Sequence, residues 1–212
     1  MNTTVLEREK SGVETQVATT IAVPADVLLK VDADAFAALC ASNGDLRLEL
    51  DPDGGLVVMT PAGLDSSDRN MELGRQIANW NHAGRFGKVF DSSGGFTLPN
   101  GAVRAPDVSW TARQRWQGVP RAERRRFTPI VPDFVAEVLS PIDSRAEIQA
   151  KMAEYIAQGV RLGWLIDPDA QTVEIYRPGR DVERLAKPKS LSGEDVMAGL
   201  VIDLAEILYD VD

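Results

Sequence analysis

One cysteine and one histidine are all that this 212-residue chain holds of the two commonest zinc-binding side chains. Clusters of Cys and His that ligate zinc are therefore excluded. Cys40 has no second thiol to pair with, so a reducing cytoplasm is the compartment expected. A Cys40–His82 nucleophilic pair is formally available. But Cys40 ends the apolar stretch Phe36-Ala37-Ala38-Leu39-Cys40, where a thiol reads as buried and inert, and His82 reads as a helix cap or surface residue. No apolar run approaches the ~20 residues that span a bilayer, and no membrane association is expected. The first residues, Met1 to Thr20, are polar, lack the apolar core of a secretory signal and read as a flexible lead. A single domain is expected over 21–212. Phosphate-binding P-loops and dinucleotide glycine fingerprints are missing too. Carboxylates, lysines and a bound hard metal are what remains for chemistry.

The net charge of −9 argues against a protein that coats nucleic acid nonspecifically. It leaves room for a nuclease, whose acidic site adds negative charge of its own. One basic stretch stands out, holding Arg113, Arg115, Arg121, Arg124, Arg125 and Arg126 against Glu123 alone. On charge pattern it reads first as a solvated loop. Contact with DNA phosphates is the alternative.

Asp32 or Asp34 can cap a short helix through about Ser42. The alternation Asp45-Leu46-Arg47-Leu48-Glu49-Leu50, the turn Asp51-Pro52-Asp53-Gly54-Gly55 and the run Leu56 to Thr60 form a hairpin signature. Residues 61–68 read as loop. From Asn70 the apolar spacing of Met71, Leu73, Ile77 and Trp80 is helical, ending near Gly84. Lys88 to Phe90 and Gly95 to Leu98 read as short strands, and Ala105 to Trp110 as a third. Phe134 to Leu139, bracketed by Pro132 and Pro141, is an interior strand apolar on both faces. Ser144 to Gln158 is a helix with Ile148, Met152, Tyr155 and Ile156 on one side, and Gly159 stops it. Leu162 to Asp167, Thr172 to Tyr176 and Leu200 to Ile202 are strands, with a short helix over 203–208. The order predicts an α/β domain, a mixed sheet against helices, with an N-terminal helix and hairpin as an appendage.

Three charges sit where a charge is awkward. Glu137 shares a strand face with Val135 and Leu139, and an unpaired carboxylate in an interior strand costs several kcal/mol, roughly, unless an ion pair or metal compensates it. Asp107, between Pro106 and Val108, sits at a strand margin on a neighbouring segment. Lys151 lies on the following helix between Ile148 and Tyr155, with Glu147 four residues before it. A buried ion pair accounts for Glu137 alone as well as a catalytic role does. Two carboxylates and an ammonium together are the requirement of a magnesium-dependent phosphodiesterase.

The run Ala105-Pro106-Asp107-Val108, Ala136-Glu137-Val138-Leu139-Ser140-Pro141, Glu147 to Tyr155, and Gly163-Trp164-Leu165-Ile166-Asp167-Pro168 resembles the Uma-type putative restriction endonuclease family of the PD-(D/E)XK nuclease superfamily, over about residues 30–205. The resemblance implies a restriction-endonuclease-like core, a central mixed sheet flanked by helices. It implies that Asp107 and Glu137 hold a divalent cation, magnesium or manganese, and that Lys151, displaced onto the helix from the usual position at Leu139, completes the catalytic set. Glu72, from the first core helix, is the candidate for a further metal-ligating acid, with Glu49 behind it. DNA is the implied partner, contacted through Arg113, Arg115, Arg124, Arg125 and Arg126, and two-strand cleavage points to a homodimer. The rival is a catalytically inactive nuclease-fold binding or assembly protein, since fold alone does not confer activity. A glycosidase also needs paired acids, but the lysine and the arginine stretch argue against it.

Overall fold

A computed structural model of the chain describes residues 29–125 and 127–209. The lead expected over 1–20, the start of the expected domain and Arg126 lie outside the described residues. Helix α1 (Ala33–Ser42) begins where the Asp32 carboxylate accepts the Ala35 N–H at 2.8 Å, the cap expected from sequence. Strands β1 (Arg47–Leu50) and β2 (Leu56–Met59) form the hairpin. Then come α2 (Leu64–Gly84), β3 (Gly87–Asp91), β4 (Phe96–Thr97), β5 (Val103–Arg104), β6 (Val108–Ala112) and α3 (Arg113–Gln117). After a 3-10 turn at Glu123–Arg125 follow β7 (Phe134–Val138), α4 (Arg145–Ala157), β8 (Leu162–Asp167) and β9 (Thr172–Tyr176). The chain continues through β10 (Glu183–Ala186), β11 (Ser190–Ser192), β12 (Val201–Asp203) and α5 (Ala205–Leu208).

The central sheet is mixed, in the order β10-β9-β8-β7-β6-β3. Only β7 and β8 are parallel among its neighbours, because the α4 crossover returns the chain in the same direction. A second sheet, β2-β1-β5-β4, carries the N-terminal hairpin, and β11 pairs with β12.

Alternation along the strands divides the core into two sides. On one, Val108, Trp110, Ala136, Val138, Trp164 and Ile166 pack with Leu73 and Ile77 of α2 and with the C-terminal segment around Ile202 and Ile207. On the other, Val135 and Leu165 pack with Met152 and Tyr155 of α4 and with Leu98 and Ala102. Helix α4 presses close to β8 because position 163 is glycine: a Cβ there would stand 2.6 Å from Met152 Cε. Gly159, at φ +110°, ends α4 in a conformation a side chain would resist. Phe36 of α1 closes a smaller cluster with Leu50 and Val103.

Three local expectations shift. Helix α2 starts at Leu64 rather than near Asn70; its first turns are a Ser/Asp-rich segment that reads as loop, held as helix by burial of Ser66 and by packing further along. The arginine stretch holds α3 and the 3-10 turn rather than loop alone. Cys40 is half-buried rather than enclosed, and burial raises its thiol pKa.

Candidate active site

Asp107 lies in a bend just before β6. The antiparallel register of Val108 with Ala136 and Ser109 with Val135 continues outward to set Asp107 across from Glu137. Asp107 Oδ2 accepts the backbone N–H of Val138 at 2.9 Å, which fixes the carboxylate beside the end of β7. Every residue of β7 is buried, and Glu137 is only 6% exposed. By alternation with Val135 its side chain points to the α4 side of the sheet.

Lys151, on α4, meets it there. Its Nζ lies 2.9 Å from Glu137 Oε1 and 2.9 Å from Glu49 Oε1, so the side chain leans inward and not along the helix surface toward Glu147. The Tyr155 hydroxyl donates to the same Glu137 oxygen at 3.1 Å. Glu49 arrives from β1 of the second sheet and is 3% exposed. Its Oε1 also accepts the N–H of Ala105 at 2.8 Å, and Arg104 approaches its Oε2 at 3.4 Å. Arg104 in turn binds Asp51 at 2.8 Å and Glu154 of α4 at 2.7 Å. The cluster thus joins β1, β5, β7 and α4.

Glu72 is elsewhere. It receives Arg75 at 2.6 Å and Gln76 at 2.8 Å, on the helix that packs against the opposite side of the central sheet. Arg75 holds its carboxyl below the usual range despite burial. The structure therefore brings Glu49, not Glu72, to Asp107, Glu137 and Lys151.

The electrostatics follow from burial and excess negative charge. Burial raises the Glu137 pKa to about 7; Lys151 opposes the rise, while Asp107 and Glu49 add to it. Burial also raises Asp107, against the Val138 N–H and Lys151. For Lys151, burial alone would lower the pKa, but Glu137 and Glu49 outweigh it and hold the ammonium protonated. Three carboxylates face one ammonium at the centre of the cluster, so a compensating cation is favoured there.

That charge is the test of whether a divalent metal fits. Among the described residues, the donors found on Asp107 and Glu137 use Oδ2 and Oε1, which leaves one oxygen of each carboxylate for another partner. No group of three Asp, Glu, His or Cys side chains suited to an ion forms among the described residues. Two carboxylates suit magnesium, which prefers oxygen and retains several waters. The donor set fits.

The arginines are spread in role. Arg115 is drawn to the fully buried Asp133 at 2.9 Å. Arg124 stacks over Trp116 at 4.8 Å and donates to the carbonyls of Val119 and Trp116. Arg113 and Arg125 are exposed.

Sequence reasoning underrated Glu49, Arg104 and Tyr155. In Leu46-Arg47-Leu48-Glu49-Leu50 the leucines read as the inner face, yet Glu49 is buried and Leu46 is 50% exposed, because α4 and the central sheet cover the charged side. Tyr155 was legible as a packing residue, but its hydroxyl's partner was not.

The family model described as Uma2, putative restriction endonuclease, matches residues 33–205. The chain is similar in structure to a putative nuclease belonging to DUF820 from Anabaena variabilis, with TM-score 0.66 and 24% identity over 76% of this chain and 89% of that one. No curated protein matches it.

Proposed function

Because the chain belongs to the Uma2 family of putative restriction endonucleases, we propose that it is a metal-dependent endonuclease that hydrolyses phosphodiester bonds of DNA. One observation carries this reading: Asp107 and Glu137 stand side by side at the end of two paired strands, with the Lys151 ammonium 2.9 Å from Glu137. Asp107 and Glu137 would hold magnesium or manganese, which when bound supplies charge stabilisation to a phosphate and makes a water more acidic.

The protein's own groups divide the remaining work. Lys151, kept protonated by two carboxylates, stabilises charge that develops on the phosphoryl oxygens and orients the attacking water rather than taking its proton. The Val138 N–H fixes Asp107 and the Tyr155 hydroxyl fixes Glu137, so neither carboxylate has to be ordered when substrate arrives. Glu49 positions Lys151 and, through Ala105, the segment that carries Asp107. Because Glu49 and Arg104 come from the second sheet, we treat residues 21–212 as one working unit. Two such units in a homodimer would suit cleavage of both strands, and the unpaired Cys40 suits a reducing cytoplasm.

The test is conversion of supercoiled DNA to nicked and linear forms with magnesium or manganese. Cutting that EDTA stops supports the reading; no cutting with either metal removes it. A second reading is favoured by Lys151 bridging both Glu49 and Glu137: the cluster is an ion-paired strut in a nuclease-fold assembly protein. In that case Asp107→Ala leaves metal affinity unchanged.

A further inference from the structure

At the far end of β6 from Asp107 lies a concavity of about 410 Å³ whose walls carry the cationic side chains Arg85, Lys88, Arg113 and Arg124, together with His82 and Trp116. No acidic residue lines it, although the chain as a whole carries −9. Arg85, Lys88 and Arg113 are exposed and form no ion pair among the described residues. Arg124 is held in place by the Trp116 ring and two backbone carbonyls, none of which neutralises it. Four like charges brought together from α2, β3, α3 and the 3-10 turn repel one another, so the arrangement favours an anion between them.

Strand register sets the distance to the acidic cluster. Lys88 pairs with Thr111 and Gly87 with Ala112, while Asp91 pairs with Val108. The basic concavity is therefore about 15 Å from Asp107 along the strand axis at roughly 3.3 Å per residue. That separation corresponds to about four or five base steps of a DNA strand at 3.4 Å each. A mononucleotide cannot span it, whereas a continuous backbone can.

We propose that this concavity is a phosphate-binding subsite that grips the DNA flank away from the scissile bond. The proposal rests on the endonuclease reading for its ligand. It extends that reading by assigning His82, Arg85 and Lys88, outside the arginine stretch, to substrate binding. Phosphate contacts of this kind position the duplex without reading its sequence. Arg113 and Arg124 belong to the subsite, while Arg115 serves Asp133.

The experiment measures binding of a fluorescein-labelled duplex by anisotropy in EDTA, so that neither metal nor cleavage enters. The Lys88→Ala/Arg113→Ala double variant is compared with wild type and with Arg180→Ala as an exposed control. Both target side chains are exposed, and thermal melting verifies the fold. The double variant should lose about tenfold or more in affinity, and its salt dependence should flatten by about two in the log–log slope, near 0.9 for each phosphate released. Arg180→Ala should match wild type. If the protein cleaves DNA, the double variant should show a raised KM with kcat retained. Unchanged affinity and slope in the double variant would overturn the subsite even where cleavage is seen. Equal competition by inorganic phosphate and by DNA would also overturn it, since the concavity would then be a small-anion pocket. Loss of cleavage without loss of binding counts against the catalytic assignment instead, so the two failures are distinguishable.

Discussion

The Lys151 ammonium lies 2.9 Å from Glu49 Oε1, a contact that ties α4 of the central sheet to the strand β1 of the N-terminal hairpin. The same nitrogen lies 2.9 Å from Glu137 Oε1, so one lysine joins the appendage to the interior strand at the candidate site. Removing it should be felt in stability and in chemistry together.

Lys151→Met strands two buried carboxylates without their cation. The metal-free variant should lose about 3 kcal/mol of stability at pH 8, the range for breaking one side of a buried pair. Urea denaturation in EDTA measures it, and a loss below about 1 kcal/mol would mean that solvent or Arg104 compensates the acids.

Glu137 gives the metal-free protein a pH dependence of known sign. Its folded pKa, about 7, lies above the ordinary 4.5, so the native state holds a proton that the unfolded chain has released. That stabilisation is fully present below pH 4.5 and is lost as pH rises through 7. Asp107, also raised, acts in the same direction, while Lys151, raised from 10.5, stays charged throughout this window. Thermal melts in EDTA should therefore fall from pH 5 to pH 8, by an amount on the order of 3 kcal/mol. Glu137→Gln should flatten the profile.

Metal should reverse that loss. At pH 8, magnesium or manganese at a hundredfold over its dissociation constant should stabilise the native state by about 2.7 kcal/mol, a rise of roughly 5–10 °C for a chain of this size. Asp107→Asn with Glu137→Gln should abolish the rise. Differential scanning calorimetry with and without EDTA reads it.

Tyr155→Phe removes one hydrogen bond to Glu137 and little volume. Stability should fall by about 1 kcal/mol, with the fold retained by circular dichroism. Cleavage should weaken much less than in Lys151→Met, because Tyr155 orients a ligand and carries no charge of its own.

Much of this arrangement was legible in the residues. Proline brackets and apolar flanks marked the Glu137 strand, and the spacing of Ile148, Met152 and Tyr155 gave α4 its inward face. Strands of two to four residues, such as β5, β10 and β11, carry too little pattern to separate from loop. Glu49 was hidden because alternation shows which residues share a face and not which face is covered. Glu72 was set among the metal candidates because sequence does not reveal which side of the sheet a helix will take.

Cleavage of supercoiled DNA by wild type, Glu137→Gln and Lys151→Met, each with manganese or magnesium and again with EDTA, tests the central claim most directly. The account predicts metal-dependent cutting by wild type and a loss of about a hundredfold or more in each variant. Cutting by Glu137→Gln at the wild-type rate, or wild-type cutting that persists in EDTA, would contradict it.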